Sequence, residues 1–153
     1  MYVVANYITC VIKLVKPPAR LKKKIFSKKL KNNWKIQQGC LAEATASAFL
    51  TRKNYQVLEQ NLSFGNHELD IIALDLKHNE YVFVEVKWRK NDSFGEGSLA
   101  VNHQKIRSMQ IVAKQWLQKQ KFPKAWRFDI ISLVGNLQSQ NLKIRHFKNI
   151  TWL

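Results

Sequence analysis

Three ionisable residues set into two apolar segments are the chemically suggestive part of this chain. In Tyr81-Val82-Phe83-Val84-Glu85-Val86-Lys87-Trp88-Arg89, a carboxylate and a lysine two residues apart interrupt an otherwise apolar run. Upstream, Leu69-Asp70-Ile71-Ile72-Ala73-Leu74 sets a second carboxylate in a second apolar strand. Strand side chains alternate between faces, so Glu85 and Lys87 point the same way. Both faces of the run are otherwise apolar, as in a central strand covered on both sides. Burying a carboxylate is costly unless it meets a cation, a proton or hydrogen-bond donors. Ionisable groups kept at that cost concentrate at functional sites.

Two strand-borne carboxylates converging on one point form an oxygen-rich site for a hard divalent cation, Mg²⁺ or Mn²⁺. Such a cation polarises a phosphate oxygen and lowers the pKa of a bound water. A lysine beside it positions or deprotonates that water. The chemistry expected is metal-assisted phosphodiester hydrolysis, with Asp70, Glu85 and Lys87 as the catalytic set and Asp70 and Glu85 as metal ligands. The alternative is a buried Glu85–Lys87 pair in a structural sheet, with Asp70 in a turn contact.

The pattern Asp70…Glu85-Val86-Lys87 resembles the PD-(D/E)xK signature of restriction-endonuclease-like nucleases. Its context is Gly39-x-x-Ala42-Glu43, then His67-Glu68-Leu69-Asp70-Ile71-Ile72-Ala73, then Val82 to Arg89. Ala100-Val101 with Lys105 and Arg127-Phe128-Asp129-Ile130 follow. In order and spacing, residues 37–134 resemble the YraN-like family of small bacterial proteins. That resemblance implies an α/β fold, an α-β-β-β-α-β core with a mixed central sheet flanked by helices. It also implies Glu43 on the first helix as a further metal ligand, and Lys105 as a nucleic-acid contact beside Arg89. The chain departs from the family where Ala42-Glu43 replaces Gly-Glu and where His67-Glu68-Leu69-Asp70 replaces Gly-Glu-Ile-Asp. The lost glycines alter the backbone turns near the site, and His67 brings bulk close to it.

Composition points to a polyanionic partner. The 153 residues carry 26 Lys and Arg against 10 Asp and Glu, a formal net charge of +16. Nucleic acid, DNA foremost, is the first partner such a charge suggests, and an anionic membrane surface the second. Residues 1–38 contain basic residues and no acid. They read as a basic N-terminal extension ahead of an endonuclease-like domain over 39–153. Met1–Ile12 is too short to span a bilayer and lacks the charged start and cleavage site of a signal peptide. Cys10 and Cys40 form no zinc-binding spacing and read as reduced thiols of a cytoplasmic protein. Cys40 is expected to pack. The histidines, His67, His78, His103 and His146, show no metal-ligand spacing.

The positioning elements follow from periodicity and turn residues. Leu41–Lys53 reads as a helix that carries Glu43 near the rim of its apolar stripe. Tyr55–Leu62 and Glu68–Asp75 read as strands joined by a hairpin turn at Ser63-Phe64-Gly65-Asn66. Alternation puts Glu68, Asp70, Ile72 and Leu74 on one face, with Leu69, Ile71 and Ala73 on the other. Lys77-His78-Asn79-Glu80 is the next turn. Asn91–Asn102, with Gly95 and Gly97, is a loop suited to substrate contact, and Asn102 caps the helix His103–Lys121. Ile106, Met109, Val112, Ala113, Trp116 and Leu117 form that helix's apolar stripe, with Lys105 on the opposite face. Trp126–Val134 is a strand with Arg127 and Asp129 on one face, and Leu142–Phe147 is a short edge strand. Three functions compete: a metal-dependent endonuclease, dimeric if both strands of a duplex are cut; a nucleic-acid-binding protein that does not cut; and a membrane-surface protein using its basic arm.

Overall fold

The computed structural model describes residues 23–91 and 103–150, with side chains from residue 34 onward. Met1–Ile12 with Cys10, the Pro17-Pro18 pair, and the loop residues from Asp92 to Asn102 lie outside the described residues. The elements run α1 (Lys23–Arg52), β1 (Tyr55–Phe64), β2 (His67–Asp75), β3 (Glu80–Arg89), α2 (His103–Leu117), β4 (Trp126–Val134) and β5 (Lys143–Phe147). The fold class is mixed α/β. The chain divides after Cys40, and the core, sheet and site described below belong to the second unit, Leu41–Leu153. Helix α1 begins well before Leu41, since the run from Lys23 is rich in lysine, which loses little side-chain freedom in a helix. Cys40 is exposed on it rather than packed.

The five strands form one sheet in sequence order, β1-β2-β3-β4-β5, so β3 is central. β1–β2, β2–β3 and β4–β5 pair antiparallel, whereas β3 and β4 are parallel. A parallel pair needs a crossover connection, and α2 supplies it. The β1–β2 turn is shorter than the sequence suggested: β1 continues through Phe64, and Gly65 (φ 59°) and Asn66 turn the chain. In the next turn, Asp75 Oδ1 accepts the amides of Lys77 (3.0 Å) and His78 (3.3 Å), and Asn79 (φ 55°) takes a left-handed conformation that asparagine tolerates.

The helices cover opposite faces of the sheet. Ala42, Ala46 and Leu50 of α1 pack with Ile71, Ala73, Val82, Val84, Ile131 and Leu133. Met109, Val112, Ala113 and Trp116 of α2 pack with Leu69, Ile72, Phe83, Phe128 and Ile130. Trp116 fixes α2 across the sheet: its Nε1 donates to Glu59 Oε1 at 2.8 Å, and its ring stands edge-on to Tyr81 at 4.9 Å. The helix ends at Leu117, one turn before the expected Lys121.

At the Tyr81–Trp126 end of the parallel pair, a buried charge network ties all five strands together. Arg127 donates through Nε to Asp129 Oδ1 (3.0 Å) and through a guanidinium nitrogen to Asp75 Oδ2 (3.0 Å) and the Tyr55 hydroxyl (3.1 Å). It also contacts Glu80. Asp129 is fully buried and lies 2.8 Å from His146 Nε2 on β5, and it accepts the amide of Asn149 at 2.9 Å. Burial opposes ionisation of Asp75, but bonds from the His78 and Arg127 side chains and from the His78 and Lys77 amides hold its carboxyl well below the usual range.

Removing Arg127 would strand three carboxylates beside one another. We expect Arg127→Met to lower unfolding free energy by about 3–5 kcal/mol in urea titrations at pH 7. Because the Asp75 pKa is depressed by folding, its contribution is present at neutral pH and lost as pH falls below the usual aspartate range. The penalty should therefore shrink in acid.

Candidate metal centre

The sheet's regular ladder stops at Asp70. β2 pairs with β3 from Asp75↔Glu80 to Ile71↔Val84, and the ladder goes no further. On the other side, β1–β2 pairing skips Asn61 and Asp70, which stand opposite in register between Gln60↔Ile71 and Leu62↔Leu69. Asn61 has φ 54°, a left-handed kink inside a strand. The side-chain alternation slips at the same point: Leu69 packs with Ile72 on the α2 face, while Ile71 packs on the α1 face. The expected common face for Glu68, Asp70, Ile72 and Leu74 is therefore broken at Asp70. The freed backbone is used locally, since the Val86 amide donates to Asp70 Oδ2 at 2.7 Å. Asp70 thus bridges the gap between β2 and β3 with its side chain.

Glu85 meets Asp70 there. It is 8 % exposed on the central strand, and Tyr81 and Phe83 continue its face into the α2 core. Its cation is not Lys87, two residues on, but Lys105, whose Nζ lies 2.9 Å from Glu85 Oε2 and 3.8 Å from Asp70 Oδ1. Lys105 is therefore not on the solvent face of α2. Positions 105, 109, 112 and 116 form one helical stripe, and Met109, Val112 and Trp116 on it are buried. Lys105 continues that stripe toward the sheet, and its side chain is 22 % exposed. Oε2 is buried, and the Lys105 ammonium pairs with it. Burial and the charge of Asp70 push the Glu85 pKa up to about 7, against the opposing pull of Lys105. Burial opposes the Lys105 charge, but Asp70, Glu85 and Glu68 outweigh it and raise the lysine pKa.

Glu43 reaches the same group from α1. Burial and the charges of Asp70 and Glu68 raise its pKa, while the Asn61 side chain hydrogen-bonds it and Lys105 attracts it. Groups from both faces of the sheet can share a site only where the sheet opens, and Asp70 marks that opening. Glu68 stands at the rim, its side chain 75 % exposed and 3.7 Å from Lys105 Nζ. Lys87 is half-buried on β3 opposite Ser132, and Arg89 is half-buried at the strand's end. The structure thus brings Asp70, Glu85, Glu43 and Lys105 together, and Lys87 stands one strand repeat beyond them. Asn61 escaped the sequence reading; the signal for it was an asparagine, a poor strand former that tolerates left-handed φ, inside a strand-like run.

A second group of ligand-type residues lies at the other end of the β2–β3 hairpin. Asp75, His78 and Glu80 offer donor atoms within 4.8 Å of one another. The histidine spacing gave no hint of this, because the partners are carboxylates across a turn. Here Arg127 already neutralises Asp75 and Glu80, and His78 Nδ1 lies 2.9 Å from Asp75 Oδ2.

A model of UPF0102, an uncharacterised protein family, matches residues 42–133, the span from the α1 residues beside Glu43 to the end of β4. The chain belongs to the UPF0102 family. It is 34% identical over 101 residues to a UPF0102 protein of Cytophaga hutchinsonii, covering 65% of this chain and 87% of that relative. It is 35% identical over 116 residues to one from Caldicellulosiruptor saccharolyticus, covering 75% and 97%. A Clostridium beijerinckii UPF0102 protein is 35% identical over 112 residues, covering 72% and 89%. The YraN-like resemblance of the sequence is thereby shown at the level of the family. The UPF0102 span includes Glu43, Asp70, Glu85, Lys87, Arg89 and Lys105, all the candidate site residues.

A raised Glu85 pKa means that folding favours its protonated form. The resulting stabilisation is complete below the usual value of 4.5 and is lost as pH rises through about 7. In EDTA, Glu85→Gln should therefore melt higher than the unaltered protein by about 3–6 °C at pH 8, and the gap should close toward pH 5. Thermal denaturation followed by circular dichroism across that range measures it.

Proposed function

We propose that this protein is a Mg²⁺- or Mn²⁺-dependent endonuclease that hydrolyses phosphodiester bonds of DNA, on a restriction-endonuclease-like variant of its mixed α/β fold. The observation that carries this reading is the convergence of Asp70 and the buried Glu85 Oε2 on one cationic group. The order of the first six elements, α-β-β-β-α-β, with the carboxylates on the second and third strands, agrees with it. The donors Asp70, Glu85 and Glu43 are all carboxylate oxygens, the set that suits a hard divalent cation. These three residues would hold it. When bound, the cation would supply charge neutralisation at the phosphate and a more acidic water.

The chain's own residues supply the rest. Lys87 lies on the Glu85 face of β3 and would orient the attacking water and draw off its proton. Arg89 and the excess positive charge would hold the phosphate backbone, making affinity steeply dependent on salt. A homodimer would set two such sites against the two strands of a duplex. No helix among the described residues is long and apolar enough to cross a membrane, and we place the activity in the cytoplasm. The basic excess alone also supports binding without cutting, and the same experiment separates the two.

Purified protein is incubated with labelled duplex, single-stranded and four-way-junction DNA in Mg²⁺, Mn²⁺ or EDTA. Cleavage should require the metal. It should fall by at least about 10²-fold in Asp70→Asn, Glu85→Gln and Lys87→Ala, with DNA binding largely kept. Binding without metal-dependent product on any substrate would leave the non-cutting reading standing.

A further inference from the structure

The carboxylates of this centre outnumber the positive charge set among them. Lys105 Nζ lies 2.9 Å from Glu85 Oε2, 3.7 Å from Glu68 Oε1 and 3.8 Å from Asp70 Oδ1. One ammonium thus serves three carboxylates, and Glu43 is a fourth, whose ionisation burial and the charges of Asp70 and Glu68 oppose. Three ionised carboxylates with one lysine leave a charge of −2, which one divalent cation would cancel.

The lysine's contacts are those of a group that can leave. It is shared among three carboxylates, and two of them lie beyond hydrogen-bond distance, at 3.7 and 3.8 Å. Its side chain is 22 % exposed, so the ammonium has access to solvent. A lysine ammonium sits on a flexible four-carbon stem and is a compact point charge, unlike the planar fork of arginine. The same carboxylate oxygens cannot serve an ammonium and a divalent cation at once, since the two cations would repel at contact distance.

We propose that Lys105 is a built-in counter-charge: its ammonium holds Asp70 and Glu85 while no divalent cation is bound, and leaves them for the phosphodiester when one binds. This rests on the metal-site reading above and adds an exchange of cations to it. Lys105 is then a positioning residue for the carboxylates in one state and a phosphate contact in the other.

The test is Mn²⁺ titration calorimetry of the metal-free full chain at pH 8.5, with Asp70→Asn as control. Lys105→Gln removes the competing charge and should bind Mn²⁺ at least about fivefold more tightly than the unaltered protein. Lys105→Arg keeps the charge and should bind no more tightly. Equal or weaker binding by Lys105→Gln overturns the proposal. If Asp70→Asn binds Mn²⁺ as well as the unaltered protein does, the cation lies elsewhere and the metal-site reading falls first. A second measurement needs no variant: the acetylation rate of Lys105, read by peptide mass spectrometry, should rise several-fold when Mn²⁺ saturates the protein. An unchanged or slower rate overturns the proposal even where the variants fail to fold.

Discussion

The placement of a carboxylate inside the central strand governs the rest of this structure. Glu85 lies among Val82, Phe83 and Val84, all fully buried, on a strand covered by a helix on each face. An isolated charge there would be prohibitively costly, so the fold must bring it a cation, a proton or donors. It brings a cation on α2, the β3–β4 crossover helix, and it lets the pKa rise. The break in the ladder at Asp70 serves the same end. With strands apart at that point, a second carboxylate and a residue of the opposite helix reach the same spot.

The two ends of the β2–β3 hairpin treat buried charge in opposite ways. At the turn end, Arg127 distributes its guanidinium over Asp75, Glu80 and Asp129, and nearly every oxygen has a directed partner. The Asp75 pKa falls accordingly. At the open end, one lysine is shared among Glu85, Glu68 and Asp70, and the pKa values of Glu85 and Glu43 rise. A satisfied network holds strands together, whereas an under-neutralised one keeps its affinity for a further cation. This contrast, rather than the presence of acidic residues as such, separates the structural cluster at Asp75-His78-Glu80 from the candidate metal centre.

Much of this was legible from residue types alone. The strand Trp126–Val134, the alternation that gives β3 its two apolar faces, and the turn at Lys77–Asn79 follow from local chemistry. Local chemistry also gave the wrong side for Lys105. A lysine next to Gln104 and Arg107 reads as solvated until its position on the 105-109-112-116 stripe is weighed against what the stripe faces.

The sequence by itself determined that Asp70, Glu85 and Lys87 would lie on adjacent apolar strands, because strand periodicity and burial are local consequences of residue order. It also determined family membership, since that rests on order and spacing. Only the tertiary structure decided which cation Glu85 meets, and that Glu43 and Asn61 belong to the same centre. Those pairings join residues 18 to 62 positions apart through a crossover helix and a slipped ladder. Distances of that kind are set by how elements pack against a shared sheet, and no local pattern encodes them.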